Sequence, residues 1–226
     1  MAVYSNNRFN RAFVLTGSTC DRILDAAERL FAEEGFHVTS LRQITQAAEA
    51  NLAAVNYHFG SKQALILAVF RRRLDALNQA RLERLDAALD AEQVPALEVV
   101  LDAFVYPAMA FTHGSDDEGH RFMRILMRAF ADQDDQLHRA LSAEYAHVMR
   151  RFAEAIAGAL PGAHPDQLRR QLDFIVGALT YTMAESHLKD ARSIASDLVQ
   201  FAAAGLRGTV DSHSQSGARR TMEISQ

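Results

Sequence analysis

The chain has 226 residues, 49% of them apolar and 23% charged, with a formal net charge of −4 and a single cysteine, Cys20. That is enough chain to bury a core in one domain or two, and the composition is that of an ordinary globular protein. One cysteine excludes an intrachain disulfide framework and a cysteine-rich zinc site. With no apolar run of membrane-spanning length and no secretory signal in "MAVYSNNRFNRAF", the expected location is cytoplasmic, with no membrane partner.

The charge is unevenly spread. Residues 1 to 84 hold eleven Arg and Lys against eight Asp and Glu, a net of +3; the remaining 142 hold thirteen against twenty, a net of −7. The first part suits an approach to phosphates, and the second supplies acidic, solubilising surface. Residues 1–17 are expected to be a flexible arm carrying Arg8 and Arg11. From there on, the periodic segments show the helical period. In "CDRILDAAERLFAEEGF", Ile23, Ala27, Leu30 and Phe31 make one apolar face before Gly35 stops the helix. Thr39 or Ser40 caps a short second helix with Leu41, Ile44 and Ala48 on one face, and after the brief "EAN" Asn51 caps a third. Two short helices joined so tightly read as a helix-turn-helix.

Advancing about 100° per residue from Leu52 places Leu52, Val55 and Phe59 in one sector, Asn56 on its border, and Ala53, Ala54, Tyr57 and His58 opposite. Were the helix wholly buried, His58 and the Tyr57 hydroxyl would need internal partners. A helix seated in the major groove accounts for the composition instead. Small alanines let the backbone approach base edges, Tyr57 and His58 donate to phosphate, and Lys62 adds charge. Thr39 is expected to aim its hydroxyl at another phosphate. Arg42, a cation in the first turn of a helix, opposes the dipole unless an anion is near. The competing reading is a structural helical hairpin with Arg42 merely solvated; spacing alone leaves both open.

Gly60 ends the third helix and Ser61 caps a fourth, "KQALILAVFRRRLDALNQARLERLDAAL", with Leu65, Val69, Leu74, Leu77 and Leu85 among its charges. It reads as a rigid link from the first domain, 18–66, into a second, 67–207. Further helices are expected over roughly 94–112, 120–132, 135–159, 166–188 and 191–206, the first kinked or split at Pro107. Residues 208–226 have little with which to build a core and read as a disordered tail.

The run "ILDAAERLFAEEGFHVTSLRQITQAAEANLAAVNYHFGSKQALILAVF", residues 23–70, resembles the DNA-binding domain of TetR-family transcriptional regulators nearly throughout. The likeness lies in the alanine-rich first helix ending in "F..GF", the "TS" cap, the Ile of the second helix and the closing "YHF.SK..L". Within the family, "NLAAVNYHFGSKQAL" is most similar to the PsrA-like fatty-acid-responsive branch. The resemblance implies an all-α fold of about nine helices, in which the first three bind double-stranded operator DNA and the rest bind an effector and form a homodimer. It implies a repressor released by a small apolar effector, such as a fatty acid or acyl-CoA, with no resident cofactor. Matched positions place Thr39, Ser40, Arg42, Ala53, Ala54, Asn56, Tyr57, His58 and Lys62 on the DNA. One departure is "AEAN", which puts Ala50 at the usual glycine of the turn; a positive φ there would cost alanine roughly 1 kcal/mol.

The resemblance also implies a dimer contact in the last two helices, where Phe174, Gly177, Ala178, Tyr181, Leu198, Phe201, Ala202 and Gly205 mix small and large residues. Burial within their own subunit is the alternative for about half of them. For the effector pocket, Phe104, Met109, Phe111, Met123, Met127, Phe130, Met149 and Phe152 form a soft, adaptable apolar set. Plain core is the alternative here too. Arg124, Arg128 or His147 are candidates to meet a polar head group. Catalysis has no support in the sequence: Cys20 has no defined histidine partner and there is no phosphate-cradling glycine loop. His113, Asp116, Asp117 and His120 read as an exposed turn rather than a metal site. The competing function class is an all-helical interaction module without sequence-specific DNA binding.

Overall fold

The computed structural model describes residues 18–113, 117–131, 135–184 and 190–223, apart from the side chains of 112, 113, 117, 118, 120 and 209–223. The candidate arm carrying Arg8 and Arg11, and the side chains of His113, Asp116, Asp117 and His120, lie outside the described residues. Among the described residues there are nine helices and no strand: α1 (Thr19–Glu34), α2 (Leu41–Ala47), α3 (Leu52–His58), α4 (Lys62–Ala91), α5 (Leu97–His113), α6 (Asp117–Ala131), α7 (Asp135–Ala159), α8 (Pro165–Ala184) and α9 (Ala191–Glu223). None of them is long and apolar enough to cross a membrane. The chain divides into two compact units, Met1–Arg72 and Arg73–Gln226. The boundary falls six residues beyond the expected one, because Val69 and Phe70 are fully buried in the first unit's core.

In the first unit each helix begins where local chemistry starts it. Ser18 caps α1 in a capping box with Asp21, and Ser40 caps α2 in another with Gln43, the Gln43 amide donating to Ser40 Oγ at 3.2 Å. Asn51 Oδ1 accepts the Ala54 amide at 2.8 Å at the start of α3. Gly35, at φ +94°, closes α1 by donating to the Phe31 carbonyl. α1, α2 and α3 pack on one another around Ile23, Ala27, Phe31, Ile44 and Val55, with Phe36 set between the rings of Phe31 and Phe70. Each large apolar side chain so buried contributes roughly 1.5–3 kcal/mol. Arg72, in α4, holds α1 from the side: its Nη1 donates to Asp25 Oδ1 at 2.6 Å and its Nη2 to the fully buried Glu28.

The second unit wraps α7, α8 and α9 around α5. α5 is apolar enough to be covered on several sides, with Leu97, Val100, Leu101, Phe104, Val105 and Ala108 all buried. It runs unbroken through Pro107. α9 continues as helix to Glu223, past Gly208, where the sequence reading places a disordered tail. Once nucleated and anchored at Leu198, Ala202 and Leu206, a helix needs only one backbone bond per added residue to extend.

Candidate nucleic-acid interface

α3 is pinned by one side and open on the other. Val55 is fully buried and Phe59 half-buried, whereas Tyr57 is 86% exposed and Ala53, Asn56 and His58 are also exposed. Leu52, expected on the pinned side, is instead 44% exposed, because it opens the helix at the rim of the core. The Tyr57 and His58 rings meet edge to face, 5.1 Å between centroids, so each limits the other's swing. An open cleft of about 720 Å³ adjoins this surface, lined by Thr19, Arg22, Glu49, Ala50, Asn51, Ala53, Ala54, Tyr57 and His58.

The remaining candidates divide. Ser40 and Arg42 are exposed at the start of α2. Lys62 is half-buried; its Nζ donates to the His37 carbonyl at 3.4 Å, and burial lowers its pKa. Ala54 is half-buried. Thr39 does not face outward. It is fully buried, and its hydroxyl donates to the Gly35 carbonyl at 2.8 Å, so it holds the corner after α1 rather than offering a donor to phosphate. The cap belongs to Ser40 alone.

The turn before α3 also differs from expectation. Glu49, not Ala50, has positive φ, at +48°. The Ala50 amide bonds the Thr45 carbonyl and the Glu49 amide bonds the Gln46 carbonyl, the paired closures of a Schellman ending for α2. Arg22 and Thr19 are residues that sequence reasoning missed. Arg22 Nε donates to the Ala48 carbonyl at 3.1 Å, tying α1 to the end of α2 while its side chain lines the cleft. The signal was available: like Arg42, Arg22 is a cation near a helix start.

In the second unit, Phe174, Tyr181 and Phe201 are 73%, 63% and 71% exposed. Gly177 and Gly205 are exposed, and a Cβ on either would meet nothing within 4 Å. Ala178 is half-buried, while Leu198 and Ala202 turn into their own subunit. An apolar groove of about 400 Å³ lies between α8 and α9, with Phe174, Ile175 and Phe201 in its walls. Of the candidate pocket residues, Phe104, Met109, Met123 and Phe152 are buried and Phe111 and Met149 half-buried; Phe104 and Phe152 stack edge to face at 5.0 Å. Met127 and Phe130 are instead 39% and 53% exposed. Both lie toward the C-terminal end of α6. Arg124, Arg128 and His147 are all exposed. Among the described residues of this unit the buried cation is Arg81, beside buried Asn78.

A sequence profile described as "Bacterial regulatory proteins, tetR family" matches residues 23–69, and one described as "Tetracyclin repressor-like, C-terminal domain" matches residues 102–205. The chain belongs to the TetR family. Among its relatives, the HTH-type transcriptional repressor NicS of Pseudomonas putida is 32% identical over 140 residues, 61% of this chain and 62% of NicS. RutR of Escherichia coli is 45% identical over 53 residues, 24% of this chain and 25% of RutR. The match thus spans less than two thirds of each. NalD of Pseudomonas aeruginosa, the secondary repressor of a multidrug efflux pump, superposes with a TM-score of 0.62 at 25% identity, covering 83% of this chain and 96% of NalD. FadR of Bacillus subtilis, solved with stearoyl-CoA, superposes at 0.59 and 14% identity over 82% of this chain and 98% of that one. These likenesses give the second unit, as well as the first, the all-α TetR fold.

Proposed function

We propose that the protein is a homodimeric, effector-responsive transcriptional repressor that reads a near-palindromic operator through α2 and α3. The observation that carries this is the pair Tyr57 and His58, both exposed, in mutual contact, and on a helix whose opposite side is locked by Val55. Exposed aromatic side chains have no reason in the fold of one subunit; beside Ala53 and the Ser40–Arg42 helix start, they match a surface that meets phosphates and base edges. Two such surfaces in a dimer would enter successive major grooves about 34 Å apart.

The dimer contact proposed is the α8–α9 face. Phe174, Tyr181 and Phe201 are too exposed for a lone chain, and Gly177 and Gly205 leave room for a second backbone. The effector is proposed to bind the second unit, and it acts only by favouring one of two conformations over the other. A long-chain acyl compound is the class that the "NLAAVNYHFGSKQAL" resemblance favours, and FadR is an instance of this fold holding one.

Selection of bound fragments from random duplex DNA, followed by anisotropy titration, tests the reading. Tyr57→Ala with His58→Ala should cost at least about 2 kcal/mol of operator affinity, with dimer and melting temperature unchanged. Affinity unchanged in that variant would remove α3 as the reading helix. Binding that lacks the steep salt dependence of phosphate neutralisation would instead favour a protein-interaction module. Phe201→Glu should yield folded monomers.

A further inference from the structure

Among the described residues, Glu49 alone of the non-glycine residues has positive φ, at +48°. An L side chain is strained there and glycine is not. The conformation itself is set by the end of α2, where the Ala50 amide donates to the Thr45 carbonyl at 2.9 Å and the Glu49 amide to the Gln46 carbonyl at 3.3 Å. The turn thus dictates φ but not the residue, and glutamate is a destabilising choice. Its side chain is exposed, and no hydrogen bond or ion pair among the described residues holds the carboxylate. The strain is therefore not offset by a polar contact within those residues.

Glu49 also lines the open cleft of about 720 Å³ beside α3, together with Asn51, Ala53, Ala54, Tyr57 and His58, and it is the one acid in that wall. An acid on a surface that meets a polyanion weakens binding unless a donor receives it. A carboxylate accepts hydrogen bonds and donates none. In the major groove guanine N7 and O6, thymine O4 and adenine N7 are all acceptors, and the donors are the exocyclic amines of cytosine and adenine. Adenine sets its amine beside N7, which repels a carboxylate; cytosine N4 has no such neighbour on its own ring. Cytosine is the base that suits Glu49.

We propose that Glu49 is a specificity-determining residue of the DNA-reading surface: its carboxylate accepts from the N4 amine of a cytosine at one position in each operator half-site, and its charge opposes the acceptors that other bases present there. This rests on the operator-reading role proposed above for α2 and α3, and it names a base that the surface selects. Away from a matching site the carboxylate meets acceptors and phosphates, so it weakens non-specific binding. The strain at φ +48° is the stability given up for that discrimination.

The test uses the full chain. Bound fragments are selected from random duplex DNA with the unaltered protein, Glu49→Gly and Glu49→Gln. Anisotropy titrations follow on the selected operator, on that operator with the cytosine changed to thymine in both half-sites, and on a scrambled duplex. The unaltered chain should require cytosine at one symmetric pair of positions and bind the thymine operator at least about fivefold more weakly. Glu49→Gly should narrow that preference to within about twofold, keep the others, and bind scrambled duplex more tightly. Glu49→Gln, whose amide donates as well as accepts, should take thymine as readily as cytosine. Glu49→Gly should also melt no lower than the unaltered chain, so that lost discrimination is not a lost fold. A cytosine preference retained by Glu49→Gly overturns the proposal, as does its absence from the unaltered chain. Tighter binding of Glu49→Gly to operator and scrambled duplex by one common factor, with the preference intact, would make Glu49 a mere repeller of phosphate. Loss of operator affinity in Tyr57→Ala with His58→Ala alongside any of these results leaves α3 as the reading helix, so the role of Glu49 falls alone. Selection of no sequence by the unaltered chain sinks both.

Discussion

The Ala50 amide donates to the Thr45 carbonyl at 2.9 Å, and this closure is what holds Glu49 between them at φ +48°. A side chain at that φ is strained, and glycine is the residue that usually occupies it. Glu49→Gly should therefore raise stability by about 0.5–1 kcal/mol, after allowing for the added freedom of glycine in the unfolded chain. Ala50→Gly relieves nothing and should lower stability by a similar amount. Urea unfolding of the two variants checks this; equal effects would mean that the strain is not at Glu49.

Thr39→Val tests the inward placement of that hydroxyl. Loss of the bond to the Gly35 carbonyl should cost about 1 kcal/mol of stability. The salt dependence of DNA binding should stay as it was. A slope smaller by about one unit would instead mean that Thr39 does meet a phosphate.

Glu28 and Arg72 form a clasp in which only the carboxylate is fully buried. Glu28→Leu strands a cation that keeps Asp25, so the cost should be about 2–3 kcal/mol, below the range for severing a wholly buried pair. Arg72→Met alone takes the paired cation from the fully buried Glu28 and should cost more. The double variant should recover much of the loss, a coupling that a double-mutant cycle measures directly. Additive losses would mean that the two side chains stabilise independently.

Glu98 and Arg207 give the fold an acid-sensitive fastening between α5 and α9. Arg207 donates to both carboxylate oxygens, at 2.5 and 2.9 Å, and these bonds hold the Glu98 carboxyl below its ordinary range. A pKa lowered by folding adds stability above the unfolded value, about 4.3, and that stability is lost as pH falls through the lower folded value. Melting curves of Glu98→Gln should thus lie below those of the unaltered protein at neutral pH and merge with them under acid. A gap that persists at pH 2 would assign the effect to packing.

The features legible in the sequence were those decided within a few residues. Ser40, Asn51 and Ser61 as caps, Gly35 and Gly60 as stops, and the outward aspect of Tyr57 and His58 follow from local chemistry and helical angle. The misses depended on closure or burial. The strained residue was misplaced by one position because it is set by where α2 ends, not by the turn's composition. Thr39 reads as a cap from its neighbours and is turned inward only by the packed corner beneath Leu30 and Gly35. Arg81 was hidden among the charges of "RLERLD", although its spacing from Leu74, Leu77 and Leu85 places it on the apolar stripe of α4.

Gly177 and Gly205 are exposed glycines of α8 and α9. Each sits inside a helix with open space where a side chain would stand, so the lone protomer gains nothing from glycine there and loses roughly 1 kcal/mol of helix propensity at each. On the dimer proposed above, alanine at both positions would set subunit folding and subunit pairing in opposition: protomers that melt later and associate less tightly. The stability forgone by one chain then measures how closely two chains must approach.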